Sequence, residues 1–466
     1  MTRLIEYTAT EIVDLLRRRE FSCEQLVSDS LDQIERLDKT VHAWAYLDRK
    51  LAIEQARAVD SGLKAGQETR AFTGVPVGVK DVFNTKDMPT EMGSPIWKDF
   101  TPGNDARVVH YLRMAQAVIP GKTVTAEFAV HAPGPTANPH NPEYMPGTSS
   151  SGSACAVASY MVPVALGTQT AGSVMRPSSY CGVFGFKPSF GLIPRTAVLK
   201  TTDTLDTIGV FARSVQDLSL LFDTIRVKGR DYPIPEKALN DQERQTKKPG
   251  QPWRIALVKG PKWQHAEGYA QEAIAEFAKK VGAIKDVLVE EFELPVEFNR
   301  AHEIHATIYD RTLAYYFREE FKHHTLVSPV MYDIINRGNE LTLAQYQVAL
   351  KEQTALCQQL DQILSTRFDV ILNLTTGGEA LKGLESVDRP DNCLIWTLCH
   401  VPAINLPVFS GPNKLPFGAQ IVGRRYNDPM LLSFAELLQR HGLLAGAPHP
   451  VPQMALSGAA SSSIRA

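Results

Sequence analysis

The sequence predicts an α/β protein in which helices flank a sheet of short, buried strands. Helical patterns alternate with short apolar runs, as where the helix-like stretch 107–116 is followed by Ala117-Val118-Ile119-Pro120-Gly121. Such alternation is typical of layered α/β folds. Size agrees with this class: the chain has 466 residues, of which 44% are hydrophobic. A chain of this length can bury most of its apolar surface without a disulfide or a metal.

Charge and composition exclude several classes of protein. Lys and Arg number 49 against 51 Asp and Glu and are scattered along the chain, so no nucleic-acid-binding face is expected. The six cysteines show neither CxxC nor metal-ligand spacing, and HExxH is absent, which predicts reduced thiols and no metal site. The N-terminus has no apolar signal segment, and the longest apolar stretch, 154–167, is too short to span a bilayer. We therefore expect a cytoplasmic protein without membrane contact.

The first part of the chain has two helical patterns and then a strand. Residues 8–65 read as helices, and we expect Thr10 to cap the first and Ser22 to cap the second. The stretch Gly74-Val75-Pro76-Val77-Gly78-Val79-Lys80-Asp81 is β-branched and apolar and ends in two charges. It predicts a buried strand with Lys80 at its end. Most lysines are solvated surface groups, so this pattern alone gives Lys80 no function.

Two segments are unusually rich in small residues. The first, Gly147-Thr148-Ser149-Ser150-Ser151-Gly152-Ser153, could be a flexible linker or a helix cap. A linker, however, does not normally run straight into an apolar helix such as the one predicted at 154–158. The second is Gly167-Thr168-Gln169-Thr170-Ala171-Gly172-Ser173-Val174-Met175-Arg176-Pro177, which could be a simple tight turn. A turn so poor in side chains also exposes successive backbone N–H groups, the donors that an oxyanion needs.

The remaining segments suggest how one domain is organised. Residues 224–250 are a polar connection, 253–258 resume a strand, and 295–350 are helical and aromatic-rich. We predict one domain with four parts: N-terminal helices at 8–65, a core at about 65–225 and 365–445, a variable helical cap at about 226–365, and a mobile tail at 450–466.

Together, the strand and the two small-residue segments resemble the amidase signature family. In that family a Gly-Gly-Ser-Ser-Gly-Gly-type loop precedes a Gly-Thr-Asp-x-Gly-Gly-Ser-type turn, and the upstream lysine follows a Gly-Val-Pro-x-x-Val-Lys-Asp pattern. Here Ser149 precedes Ser173 by 24 residues, the interval of the family. The motifs Cys181-Gly182-Val183-Phe184-Gly185-Phe186-Lys187-Pro188 and Val401-Pro402-Ala403-Ile404-Asn405-Leu406-Pro407 extend the match. The resemblance covers roughly residues 5–225 and 365–440.

The resemblance implies a fold and a set of site residues. The fold would be a mixed, mostly parallel twisted sheet flanked by helices, with a helical cap insertion. Ser173 would be the nucleophile, Ser149 the proton relay with a cis peptide bond before it, and Lys80 the base. No metal or organic cofactor is implied. The backbone N–H groups that would hold the oxyanion are those of Thr170, Ala171, Gly172 and Ser173.

Elementary chemistry supports these roles. A serine hydroxyl is a poor nucleophile until a base removes its proton. No histidine lies near the serine motifs in the sequence, which disfavours a Ser-His-Asp arrangement. A lysine can act as the base if it is neutral. Lowering its pKa from ~10.4 to about 7 requires roughly 4–5 kcal/mol of destabilisation of the cation, which burial can supply.

The sequence departs from the family pattern at several positions. Thr148 and Ser151 replace glycines of the serine loop, Gln169 replaces the aspartate of the turn, and Ala171 replaces its first glycine. Because Gln169 is uncharged, it cannot make the charge pairing that an aspartate would make at this position.

Arg176 stands three residues after the predicted nucleophile. It has two interpretations: contact with a substrate carboxylate, as in malonamidase-like members, or an ion pair with Asp81 or another buried acid. Gly147 and Thr148, at the start of the serine loop, are further candidates for substrate contact.

The function that these observations favour is the hydrolysis of C–N bonds. The aromatic cap favours a hydrophobic small-molecule substrate, either an amide such as an anilide or a carbamate. An aryl acylamidase or a urethanase would fit, and the interpretation allows a homodimer. The alternatives are the A subunit of a tRNA-dependent amidotransferase, a malonamidase-like half-amide hydrolase, and an inactive scaffold. The last is disfavoured because all three catalytic positions are filled.

Overall fold

The fold is built on one large sheet. A computed structural model describes residues 3–248 and 250–444, so the predicted tail at 450–466 lies outside the described residues. In chain order the strands are β1 (Trp44–Leu47), β2 (Val77–Lys80), β3 (Gly121–Thr123), β4 (Val164–Gln169), β5 (Phe184–Lys187), β6 (Thr207–Ala212), β7 (Trp253–Leu257), β8 (Val287–Glu291), β9 (Val370–Leu374), β10 (Ala403–Ser410) and β11 (Pro416–Gly423). Their order across the sheet is β1-β3-β2-β4-β6-β5-β10-β11-β9-β7-β8.

Helices pack against this sheet, which confirms the predicted mixed α/β fold with flanking helices. They are α1 (Ala9–Arg17), α2 (Cys23–Val41), α3 (Arg49–Lys64), α4 (Arg107–Met114), α5 (Ser151–Ala158), α6 (Met175–Cys181), α7 (Val215–Ile225), α8 (Pro233–Asn240), α9 (Gln242–Gln245), α10 (Gly268–Gly282), α11 (Ala301–Tyr316), α12 (Pro329–Glu340), α13 (Leu343–Thr366), α14 (Cys393–Leu398) and α15 (Asp428–Arg440). Within the described ranges, no helix is long and apolar enough to cross a membrane.

The sheet is mixed, as predicted, but it is not mostly parallel. Among the described strands, β2 pairs in parallel with β3 and β4, and β7 with β8 and β9. The other six pairings are antiparallel. One reason is the hairpin of β10 and β11, whose connection at 411–415 is far too short for a parallel crossover. This hairpin lies between β5 and β9, and both flanking pairings are antiparallel as well.

The two N-terminal helices begin with capping boxes. Ser22 caps α2 together with Gln25, as predicted. The cap of α1 is Thr8, not Thr10, because the carboxylate that completes the box, Glu11, lies three residues after Thr8. Thr10 instead donates its hydroxyl to a carboxylate oxygen of Asp217, at 2.9 Å. That bond fastens the start of α1 to α7.

The segment predicted as a cap has two different parts. Its first part, β7-α10-β8, joins the edge of the main sheet and does not cover it. Its second part contains the long helices α11, α12 and α13, and α11 contacts both of the other two. Phe317, just after α11, packs on Phe128 of the core with ring centroids 4.8 Å apart. The helical part therefore lies directly against the segment that precedes the serine loop.

Candidate active site

Lys80 ends an interior strand of the sheet in a fully buried position. β2 lies between β3 and β4, and the Lys80 side chain has no exposed surface. Its Nζ lies 2.8 Å from Ser149 Oγ, 3.0 Å from Ser150 Oγ and 2.9 Å from Thr168 Oγ1. The predicted base and the predicted relay are therefore in direct contact, and Lys80 has two further hydroxyl partners, one from each of the two small-residue segments.

The surroundings of Lys80 favour the neutral amine. Burial lowers the pKa of its ammonium well below the ordinary value, while the negative charge of Asp206 acts in the opposite direction. The adjacent carboxylate, Asp81, forms an ion pair with Lys122, whose Nζ lies 3.0 Å from Asp81 Oδ1. A neutral amine has a lone pair and can accept a proton from one of the hydroxyls around it. Lys80 thus meets the chemical requirement for a base.

The serine loop is a buried, ordered part of the site, so the flexible-linker interpretation is wrong. The Thr148–Ser149 peptide bond is cis, as the resemblance implies. The carbonyl of Ser149 accepts a hydrogen bond from the Ala126 N–H, at 3.1 Å. Gly147 has a φ of +85°, and a Cβ there would lie 3.0 Å from the backbone nitrogen of Pro177. A glycine is therefore needed where the serine loop meets α6.

Gln169 compensates for the missing aspartate at the end of β4. Its Oε1 accepts from the N–H groups of Val174, at 2.8 Å, and Met175, at 3.0 Å. Its Nε2 donates to Thr397 Oγ1, at 3.0 Å, and that hydroxyl donates to the Ala171 carbonyl, at 2.8 Å. A neutral amide therefore satisfies the first N–H groups of α6 without a charge, because a threonine is present to accept its second hydrogen bond.

The carbonyl groups of the turn are all engaged. His305 Nε2 lies 2.8 Å from the Thr170 carbonyl, and the Ser150 N–H donates to the Ser173 carbonyl, at 3.4 Å. The Gly172 carbonyl accepts from the Arg176 N–H, at 2.9 Å. By contrast, the N–H groups of Ala171, Gly172 and Ser173 have no acceptor within residues 3–248 and 250–444. These free donors are what an oxyanion hole requires.

Arg176 forms an ion pair, although not with Asp81. Its Nε lies 2.6 Å from Asp391 Oδ2, and its Nη1 lies 3.8 Å from Asp388 Oδ2. All three side chains are at least nine-tenths buried. Asp388 also accepts a hydrogen bond from the hydroxyl of Thr148, at 2.6 Å. Two carboxylates therefore already neutralise the guanidinium, and Thr148 uses its hydroxyl within the protein.

Sequence reasoning missed several groups at this site. Ser150 and Thr168 belong to the quoted motifs, so their contacts with Lys80 could have been anticipated from proximity. Asp206 and His305 lie outside every quoted motif, and only the folded structure brings them into contact with Thr170 of the turn. Among the described residues, no group of three or more His, Cys, Asp or Glu side chains is arranged to hold a metal ion.

The chain is similar to known proteins in both sequence and structure. A sequence model of the family described as Amidase matches residues 25–432. The chain is 30% identical to the A subunit of the glutamyl-tRNA(Gln) amidotransferase of Legionella pneumophila (strain Corby), over 93% of this chain and 97% of that protein.

Two solved structures are also similar. A crystal structure of an amidase matches with a TM-score of 0.82 and 26% identity, over 93% of this chain and 100% of that chain. A bacterial aryl acylamidase of the amidase signature family has a TM-score of 0.83 over 96% of this chain and 98% of that chain. At 20% identity, this second likeness concerns the fold alone.

Proposed function

This chain belongs to the amidase family and is a C–N hydrolase of that family, and we propose that it works alone, cleaving hydrophobic amides with Ser173 as nucleophile, Ser149 as relay and Lys80 as base. The observation that carries the proposal is the 2.8 Å contact between the buried Lys80 Nζ and Ser149 Oγ. It joins a lysine that burial favours in the neutral form to a hydroxyl that can pass a proton.

The proposed reaction runs through an acyl-enzyme. Lys80 takes the proton of Ser149, which takes that of Ser173, and Ser173 Oγ attacks the substrate carbonyl. The free N–H groups of the turn hold the negative oxygen of the tetrahedral intermediate. When the C–N bond breaks, the proton returns through Ser149 to the leaving nitrogen. Water then attacks the acyl-enzyme by the same proton route and regenerates Ser173.

The surroundings of the turn support an uncharged substrate. Arg176 is already paired with two carboxylates, so a substrate carboxylate would have to displace one of them. The side of α11 next to the turn carries His305 and Tyr309, whose rings stack with centroids 5.5 Å apart. Burial lowers the pKa of His305 to about 4, so this wall is uncharged near neutral pH. An aryl amide or an aryl carbamate fits such a wall, because both present the same carbonyl to Ser173.

A second candidate is the amidotransferase A subunit, which the 30% identity over nearly the full length of both proteins favours. Such a protein would release ammonia from glutamine for a partner. Glutamine carries an ammonium and a carboxylate, and both need buried countercharges. The paired state of Arg176 and the substituted serine loop make us prefer the stand-alone enzyme. Glutaminase activity that appears only with a co-purifying partner would reverse this preference.

The nucleophile is tested by replacing it. Ser173→Ala should fold normally and lose nearly all hydrolysis and all labelling by a serine-directed phosphonate, because no acyl-enzyme can form. Ser151→Ala is a matched control from the neighbouring loop: the Ser151 hydroxyl is buried and has no partner within the described residues. This variant should retain wild-type turnover. Phosphonate labelling of the Ser173→Ala protein at Ser150 or Ser153 would contradict the assignment.

Substrate class is tested by comparing kcat/KM for an aryl amide and a dicarboxylic half-amide. We expect the aryl amide to be preferred, since burying a phenyl-sized group gains roughly 2 kcal/mol. The same ratio measured in Arg176→Met should change little. This variant should also unfold at a lower temperature, because it leaves Asp388 and Asp391 buried without their cation. A half-amide preference that vanishes only in Arg176→Met would make Arg176 a specificity residue and refute the hydrophobic-substrate proposal.

A further inference from the structure

Asp206 lies where the predicted oxyanion turn leaves the sheet. β4 and β6 are antiparallel neighbours, and their last pair is Gln169 with Thr207. The next residue beyond β4 is Thr170, and the residue before β6 is Asp206, so the two face each other past the end of the ladder. The Asp206 side chain is about nine-tenths buried. A carboxylate therefore sits beside the turn that carries Ser173.

The carboxylate of Asp206 is saturated with hydrogen bonds. Oδ1 accepts from the hydroxyls of Thr170, at 2.9 Å, Thr201, at 2.6 Å, and Thr202, at 2.8 Å. Oδ2 accepts from the backbone N–H groups of Thr201, at 2.9 Å, and Thr202, at 3.0 Å. One of these donors belongs to the oxyanion turn and the others to a separate loop. Asp206 thus fastens the turn to that loop from the side opposite Lys80.

The same group acts electrostatically on the base. In the strand order β2-β4-β6, Lys80 and Asp206 lie on either side of β4. Thr168 Oγ1 contacts Lys80 Nζ, and Thr170 Oγ1 donates to Asp206 Oδ1. Asp206 is the charged group whose field opposes the effect of burial on the pKa of Lys80. The negative charge favours the ammonium form, so it keeps the base from losing its proton at still lower pH.

We propose that Asp206 is a positioning residue of hydrolysis: it holds the oxyanion turn in place through Thr170, and its negative charge acts on Lys80 from the other side of β4. This inference rests on the proposed function, in which Lys80 is the base. It assigns a role to a residue that touches neither the reacting carbonyl nor Ser149.

On the Lys80 side, the other charged groups form a closed pair. Asp81 follows Lys80 in the chain, and Lys122 of β3 neutralises it at 3.0 Å. Both side chains are buried, and neither forms a hydrogen bond or an ion pair with Asp206. They therefore do not supply a new charge to Lys80.

On the Asp206 side, three titratable or charged groups lie near the carboxylate or the turn. Arg195 Nη1 lies 3.7 Å from Asp206 Oδ2 and keeps its charge at all relevant pH values. His305 lies against the Thr170 carbonyl, and burial lowers its pKa to about 4. Burial raises the pKa of Tyr309, with a contribution from Asp206. Neither ring titrates between about pH 5 and 9, so a change of the pH profile in that interval reports on Lys80.

The charge is tested with Asp206→Asn, followed as kcat/KM from pH 5 to 9. Without the negative charge of Asp206, nothing of similar size opposes the effect of burial, so the pKa of Lys80 falls further. The acid limb of the profile should therefore move to lower pH by about one unit. A residue with only a structural role would lower activity at every pH and leave the limb in place. An unshifted limb in a folded, active variant would overturn the electrostatic half of the proposal.

Positioning is tested with a matched pair of valine variants. Thr170→Val and Thr201→Val each remove one hydroxyl donor from Asp206 Oδ1, but only Thr170 belongs to the turn. Thr170→Val should lower kcat about 10- to 100-fold with the acid limb unchanged, because small displacements of oxyanion donors are costly. Thr201→Val should stay within about 3-fold of wild type. Equal losses in the two variants would overturn the positioning role.

The valine pair tests the positioning role even if Asp206→Asn does not fold, because both valine variants keep the carboxylate. The outcome is also separable from failure of the proposed function. If Ser173→Ala is inactive and unlabelled while the Asp206 and Thr170 variants behave as wild type, only this inference is wrong. If Ser173→Ala retains activity, the proposed function itself is wrong.

Discussion

Two buried lysines on neighbouring strands have very different partners. Lys80 on β2 is surrounded by hydroxyl groups, whereas Lys122 on β3 faces the carboxylate of Asp81. Burial lowers the pKa of both. The charge that opposes this effect belongs to a direct partner, Asp81, for Lys122 and to the more distant Asp206 for Lys80. An ammonium that faces only neutral hydroxyls gains little from remaining charged in the interior. The same residue type is therefore a candidate base on one strand and half of an ion pair on the next.

This contrast predicts opposite stability changes for two methionine variants. Because the pKa of Lys80 is lower in the folded than in the unfolded chain, the amine costs stability below its unfolded pKa of ~10.4, and that cost fades as pH rises towards it. Lys80→Met should therefore unfold at no lower temperature than wild type at pH 7, while losing about 10²- to 10⁴-fold in kcat/KM. Lys122→Met should lose roughly 3–5 kcal/mol, because Asp81 stays buried alone.

Thermal unfolding and kcat/KM between pH 5 and 9 check this prediction. Wild-type activity should rise with pH through the lowered pKa of Lys80, because only the neutral amine accepts a proton. Wild-type turnover by Lys80→Met at neutral pH would remove the residue from the mechanism.

At the residue scale, the sequence predicts contacts within motifs better than contacts between distant segments. Lys80, Ser149 and the cis peptide bond follow from the family resemblance. The partner of Arg176 does not, because Asp391 lies 215 residues away and one of many acids could have met the guanidinium. Of the two partners considered, Asp81 or another buried acid, the structure shows the second. Asp81 is not available to Arg176 because it forms an ion pair with Lys122 of the neighbouring strand.

At the scale of elements, the unit β4–turn–α6 carries the proposed chemistry. β4 is held on both sides by β2 and β6, so the turn leaves a fixed strand end. α6 then begins at Met175 with its first N–H groups bound to Gln169. The donors that precede it, at Ala171, Gly172 and Ser173, are left free. A short strand and a short helix thus frame the proposed oxyanion hole between them.

This arrangement makes Gln169 a sensitive position. Gln169→Leu should lose about 2–4 kcal/mol of stability, because two buried N–H groups lose their acceptor, and its kcat should fall with the loosened turn. Gln169→Glu should lie between this variant and wild type. It keeps the acceptor at a helix N-terminus, where negative charge is favourable, but cannot donate to Thr397. Thermal unfolding and kcat of the three proteins give the order, and an unimpaired Gln169→Leu would show that the cap is dispensable.

Element predictions from the sequence succeed where the local pattern is sufficient. The strand at 253–258 is found as β7, and Ser22 caps α2 as expected. The cap of α1 is displaced by two residues because both Thr8 and Thr10 can accept at a helix start, and Glu11 decides between them. The prediction that most strands are parallel was wrong. Strand direction depends on which distant strands become neighbours. The β10–β11 hairpin comes late in the sequence but lies in the middle of the sheet.

For the whole molecule, the sheet connects the proposed site to segments far away in sequence. The strands nearest the site, β2, β4 and β6, lie towards one edge, and β7 and β8 form the other. Between them stand β5 and then β10, β11 and β9, the last three of which come from residues 370–423. The chain therefore returns to the middle of the sheet after building both sides. This crossing supports our proposal that the chain is one domain, with α11–α13 forming a cap that is attached to it and not a separate unit.

A single domain of this kind should unfold as one cooperative unit. Separating β7 from the sheet would expose the buried β9, and separating β4 would expose β2 and β6, so neither side can open without loss of apolar contacts to the other. We expect the backbone N–H groups of β4 and β7 to exchange with deuterium through the same global opening. Their opening free energies, measured by mass spectrometry in increasing sub-denaturing guanidinium, should converge with the same denaturant dependence. β8 is excluded because an edge strand frays. If β7 opened at clearly lower denaturant than β4, the segment that begins at residue 226 would be an independently folding unit, and the one-domain proposal would fail.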